Sequence, residues 1–122
     1  MSAQQPLYLA VFLGTQDSPA MKAWIALPEE ERRTRERDGI AAWHAWVDRH
    51  RDAIVELGGP LGKTKRIDAS GIHDTTNALS GFTVVRAASH EAAAALFEGH
   101  PHFTLFPGMS VEVMPVLAIP GA

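Results

Sequence analysis

Six histidines are the side chains of this 122-residue sequence whose unperturbed titration falls near neutral pH. Their spacing limits the chemistry they can share. At about 100° per residue, His50 falls near the centre of a helical stripe made by Trp43, Val47, Ile54 and Leu57. Two readings stand for it: a structural imidazole hydrogen-bonded in the core, or a proton acceptor facing a cleft between helix and sheet. His44 lies at the margin of the same stripe, a surface or rim position. His100 and His102 flank Pro101 just after an alanine-rich segment. There the helix dipole favours a protonated ring, so His100 either caps a helix C-terminus or joins His102 in lining a cleft mouth. Trp43 and Trp46, on one apolar helix face, are either core or the wall of a pocket for an aromatic or cyclic ligand.

Other chemistries are excluded. No cysteine is present, so disulfides, thiolate catalysis and cysteine-bound metals are out. His44 and His50 are six apart, about 240° round a helix, and cannot converge as a His-x-x-x-His pair does; no metal and no cofactor are expected. His73-Asp74 sits in a polar segment and reads as local turn bonding. Gly58-Gly-Pro-Leu-Gly-Lys-Thr64 mimics a phosphate-binding loop, but the first glycine would have to be residue 57, which is Leu, and a helix precedes rather than follows it. No serine has nucleophile-elbow surroundings. A net charge of −3 without a basic block argues against nucleic acid or an anionic membrane as partner. The longest apolar run, Leu7 to Leu13, is too short to cross a bilayer, and Met1 to Pro6 carry no Lys or Arg, so a secretory leader is not expected. A soluble cytoplasmic protein is the expectation.

With 46% apolar and 20% charged residues, the chain has ordinary globular composition, enough for one core spanning residues 1–122. Leu7 to Leu13 reads as a buried strand. Ser18-Pro19 starts a helical stretch to Leu27, and Pro28-Glu-Glu-Glu31 opens a second one. The alternating charges of Glu29 to Asp38 suit an exposed helical face. The apolar stripe carries that helix to Leu57, with Gly58-Gly-Pro60 as its stop; one straight helix from Pro28 would reach about 45 Å, so a bend near Gly39 or an overhang is expected. Leu61 to Asp68 reads as a second strand, Ala69 to Ala78 as a loop and Gly81 to Ala87 as a third strand. Ser89 caps an alanine-rich helix from Glu91 to Glu98. Val111 to Ile119 is the last strand, with Pro115 marking an edge or a bulge.

Strand, helix, strand, strand, helix, strand is the order of a ferredoxin-like βαββαβ domain, class α+β, with an antiparallel sheet and both helices on one face. Leu7, Leu9, Val11 and Leu13 point to one side of the first strand, and Tyr8, Ala10 and Phe12 to the other. Two helices cover only one side, so a homodimer packed through its sheet faces is expected.

Several segments together resemble the YCII-related family of dimeric α+β barrels. They are Trp43-His-Ala-Trp46, Asp52-Ala-Ile-Val-Glu-Leu-Gly-Gly-Pro60, Leu79-Ser-Gly-Phe-Thr-Val-Val85, Gly99-His-Pro-His102 and Ser110-Val-Glu-Val113 before Pro115. The branch with paired tryptophans and a Gly-His-Pro segment is the most similar. The resemblance implies a ferredoxin-like fold, dimerisation through the sheets and a cleft between helices and sheet. Some members are thought to move protons with a His–Asp pair, and one related group acts on chlorinated lactones. Here His100 stands where those members carry the aspartate, and neither His44 nor His50 matches their helix histidine. The expected function is binding of a small organic molecule, or proton transfer without a cofactor, in that cleft. His50 and His100 are then the catalytic candidates, and His44, His102, Trp43 and Trp46 the ligand contacts. The alternative is a non-catalytic ligand-binding or regulatory module with structural histidines.

Overall fold

The structure, a computed structural model, describes residues 5–121; the leader expectation rests mainly on residues 1–4, outside that range. β1 (Leu7–Leu13) is followed by α1 (Pro19–Ala26), whose N-cap Ser18 accepts from the Met21 amide, and by α2 (Glu29–Arg49). Then come β2 (Ile54–Pro60), β3 (Thr64–Asp68), β4 (Gly71–Thr75), β5 (Leu79–Arg86), α3 (His90–Ala95), α4 (Pro101–Thr104) and β6 (Ser110–Pro115). The main sheet has the order β2-β5-β1-β6 and is antiparallel throughout; β3 and β4 form a separate hairpin. Among the described residues no helix is long and apolar enough to cross a membrane.

The helical stripe ends eight residues early. α2 stops at Arg49, and Ile54 to Pro60, expected to finish the helix and its stop signal, pair instead with β5. Ile54 lies opposite Val85 and Gly59 opposite Phe82, with shifts of register between them. A short apolar run fits either period; here an edge of β5 awaits hydrogen-bond partners, and the β-branched Ile54-Val55 pair favours extension. Without its last turns α2 is continuous through Gly39, where any side chain would strike the Phe106 ring, a Cβ lying only 2.5 Å from it.

The second sheet strand is therefore β2, not Leu61 to Asp68. Most of the latter forms β3, which pairs with β4 inside the stretch expected to be loop. Asp68 Oδ1 accepts from the Ser70 amide to turn the chain, and Lys65–Asp74 and Ile67–Ile72 pair across the ladder. The last strand ends at Pro115; Leu117 and Ile119 lie beyond it, exposed. α3 ends at Ala95, after which Leu96, Phe97 and Glu98 bond three residues back in a tightened turn.

Burial alternates along β1: Tyr8, Ala10 and Phe12 lie under the helices with Trp46, Val85, Ala93 and Phe97. On the opposite side Leu9 and Val11 stand beside Val84 and Phe82 of β5, and Met114 of β6 is 37% exposed. Among the described residues no element covers that side as α2 and α3 cover the other.

Candidate functional site

Two hollows flank the tryptophan pair of α2. The first, about 450 Å³, opens between α2 and the β2–β5 part of the sheet. Phe12 of β1, Trp43 of α2 and Phe106 after α4 bring aromatic rings to its wall. Phe12 lies 5.3 Å from Trp43, and Trp43 6.1 Å from Phe106, centroid to centroid. Into this apolar setting α2 brings His44, on the exposed side, and α4 brings His102.

His102 is buried, with its ring 5.2 Å from Phe12. Its Nε2–H donates to the Leu13 carbonyl at 2.8 Å, so the lone pair of the neutral ring is on Nδ1. Burial lowers its pKa, against the Leu13 and Ser110 carbonyls, which favour the protonated form. Gly108 makes the seat possible: a Cβ there would lie 2.3 Å from Cε1 and 2.4 Å from Nε2 of the imidazole.

His100 is sealed from solvent, at 0% exposure. Its ring sits 4.4 Å from Trp43 and 4.7 Å from Trp46, near perpendicular to both, and 5.2 Å from Phe12. The chain reaches this position because α3 has already ended. His100 is the N-cap of α4, not the C-cap of the alanine-rich helix, and Pro101 takes the first helical position. Its Nδ1 accepts from the His102 amide at 3.0 Å, which leaves Nε2 to carry the proton of the neutral ring. Nε2 has no hydrogen-bond partner among the described residues. Burial, then His102, then His50 push the pKa down to about 4, the reverse of the protonated capping role.

The second hollow, about 430 Å³, lies at the C-terminal end of α2, with Trp46, Arg49, His50, Glu98 and Pro101 on its wall. His50 is the C-cap of α2 rather than the centre of a helical face, and its half-buried ring lies 5.3 Å from Trp46. Burial and the neighbouring Arg49 charge lower its pKa. Trp46 is core: its indole N–H donates to the Leu96 carbonyl at 2.7 Å.

The fold thus gathers Trp43, His44 and His102 in one hollow and Trp46 with His50 in another, with His100 buried between the two tryptophans. Phe82 and Phe106 were not foreseen as site residues. The alternation of β5 assigns Phe82 to the other side of the sheet, and nothing in the sequence around Phe106 announces its wall position. Among the described residues no group of three or more His, Asp or Glu is placed to hold a metal ion.

A mixed fold of helices on an antiparallel sheet, with a hollow between the layers, is the architecture of α+β-barrel proteins. A solved structure shares it: 5-chloro-2-hydroxyhydroquinone dehydrochlorinase (TftG) from Burkholderia phenoliruptrix AC1100, in complex with 2,5-dihydroxybenzoquinone, is similar with a TM-score of 0.50 and 18% identity. The match covers 88% of this chain and 90% of that one. At that identity the likeness shows the fold. No family model and no curated protein matches the sequence.

Proposed function

We propose that the chain is a YCII-related, ferredoxin-like protein that binds a small organic molecule in the cleft between α2 and the sheet and moves a proton on it without a cofactor. The observation that carries this is that His102 and His44 both line a mostly apolar hollow whose wall includes the rings of Phe12, Trp43 and Phe106. The Nδ1 lone pair of neutral His102 is a base in a site that disfavours charge. His44, on the exposed side, is placed to exchange the proton with water. His100 holds the His102 backbone in place through Nδ1 and is a positioning residue. His50, in the other hollow, serves that end of α2.

A second reading, ligand binding without turnover, draws on the Leu13 hydrogen bond, which gives His102 a structural task. The two separate by experiment. The protein is incubated in D2O with hydroquinone, 2,5-dihydroxybenzoquinone and small lactones, while its melting temperature is followed with each. Proton transfer predicts deuterium at an acidic C–H of a binding compound, lost in His102→Gln; a raised melting temperature without exchange leaves the binding module. No shift with any compound would sink both.

The uncovered sheet side, with Leu9, Val11, Phe82 and Val84 at its centre, supports a homodimer. Light scattering is expected to give twice the chain mass, and Leu9→Asp a monomer. A wild-type monomer at micromolar concentration would contradict it.

A further inference from the structure

Resting on the proposed homodimer, we infer that the β3–β4 hairpin is an interaction arm whose Ile67–Ile72 side packs on a second copy of this chain, beyond the sheet faces. The hairpin is rooted but bare. At its two ends the Leu61 amide donates to the Ser80 carbonyl at 3.0 Å and the Gly14 amide to the Ala78 carbonyl at 2.9 Å, yet no residue from Thr64 to Thr75 is buried. Hydrogen bonds among Asp68, Ser70 and His73 pin the turn, and Lys65 pairs with Asp74 across the ladder. Side chains alternate between the two sides of a strand. Ile67 and Ile72, directly opposite each other, therefore share one side with Lys65 and Asp74, while Thr64, Arg66, His73 and Thr75 hold the other. Both isoleucines are 70% exposed. A two-stranded hairpin alone is marginal in water, so this arm needs a cover that the described residues do not supply.

Area points to the occupant. The four strands of the main sheet have six to eight residues each, so its uncovered side measures about 450 Å² at ~3.4 Å per residue and ~4.8 Å per strand. A stable interface takes about 800 Å² from each partner. The sheet sides alone fall short. One side of the arm, two strands of five residues, offers about 160 Å². In a two-fold interface each copy both gives an arm and receives one, so the arms contribute about twice that area to each copy and bring the contact near the standard size. A different partner on the arm would leave the deficit in place.

Sedimentation equilibrium of the full chain, from micromolar to nanomolar concentration, tests this. Ile67→Thr combined with Ile72→Thr keeps branched side chains and strand propensity but removes four isoleucines from the dimer, and its dissociation constant should rise at least about tenfold. Arg66→Thr, on the other side of the arm, should leave the constant within about twofold. Hairpin amides should be protected from hydrogen exchange in the wild-type dimer and lose that protection on dilution to monomer. A constant unchanged by the double variant overturns the inference and leaves the sheet-packed dimer, which Leu9→Asp tests separately. A wild type of four chains that falls to two in the double variant places the arm between dimers and overturns it as well. A wild-type monomer throughout removes both the arm and the dimer.

Discussion

The two hollows at the tryptophan pair are of nearly equal volume, yet only one combines rings with shielded imidazole. The α2–sheet cleft draws its wall from β1, α2, β2, β5 and the segment after α4, so elements far apart in sequence hold each side chain. The hollow at the end of α2 is built from one helix terminus and the α3–α4 connection, with exposed Arg49 and Glu98 on its wall. A group at a helix end is solvated and free to move; one seated between packed layers is not. Histidine alone therefore does not mark a site. What distinguishes His102 is that its tautomer, ring plane and charge are all constrained, while His50 has a neighbouring arginine and an edge in water.

His100 joins the two hollows, and its removal should give the largest effect. His100→Ala deletes a fully buried ring between two indoles and the acceptor for the His102 amide, which should cost about 2–4 kcal/mol in urea unfolding. Both hollows should suffer together. The pH dependence has a definite sign. In the folded chain His100 stays neutral down to about pH 4, while the unfolded imidazole takes up its proton near 6.5. The unfolded state then binds more protons between those values, so stability is full above 6.5 and falls as pH drops, by at most about 1.4 kcal/mol per unit. Below about 4 this group adds no further slope. The lowered pKa of His102 acts in the same direction. His100→Phe should flatten the difference between pH 6.5 and 4 relative to wild type; an unchanged slope would show that the ring titrates freely.

Gly108→Ala separates the hollows. Its new methyl meets the His102 ring and backbone, so about 1–3 kcal/mol of stability should be lost, with binding in the aromatic cleft weakened more than the fold itself. Probes of the second hollow, such as the His50 NMR titration, should be little changed. If His50 moves as much as His102, the two regions are one cooperative unit. Trp46→Phe is expected to cost about 1–2 kcal/mol, because the Leu96 carbonyl loses its donor while most of the ring contact survives.

The core strands were readable because alternation on β1 assigns Tyr8, Ala10 and Phe12 to one side, and both serine caps follow from short side chains ahead of helices. Three features were not. Ile54 and Leu57 satisfy a helical stripe as well as a strand, and only the free edge of β5 decides between them. Ile67 and Ile72 are too few to announce a hairpin that pairs chiefly with itself. His100 was placed at the wrong end of a helix because imidazole is outside the usual N-cap set; Nδ1 plays the part of a serine oxygen, and the change of helix turns a charge-favouring position into a charge-excluding one. The site was legible as a set of histidines and tryptophans, and illegible as a geometry, because the partition between hollows depends on where α2 ends.

The smallest effect should come from His50→Gln. The half-buried ring touches Trp46 but has no side-chain hydrogen bond among the described residues, and its backbone amide, bonded to the Trp46 carbonyl, is untouched by the change. A loss under about 1 kcal/mol is expected, with binding in the aromatic cleft unaltered. Because His50 also lowers the pKa of His100, the variant should raise the His100 titration midpoint slightly, a shift readable by NMR. A large loss of ligand binding or proton exchange in this variant would move the working site to the end of α2 and reverse the ranking of the two hollows.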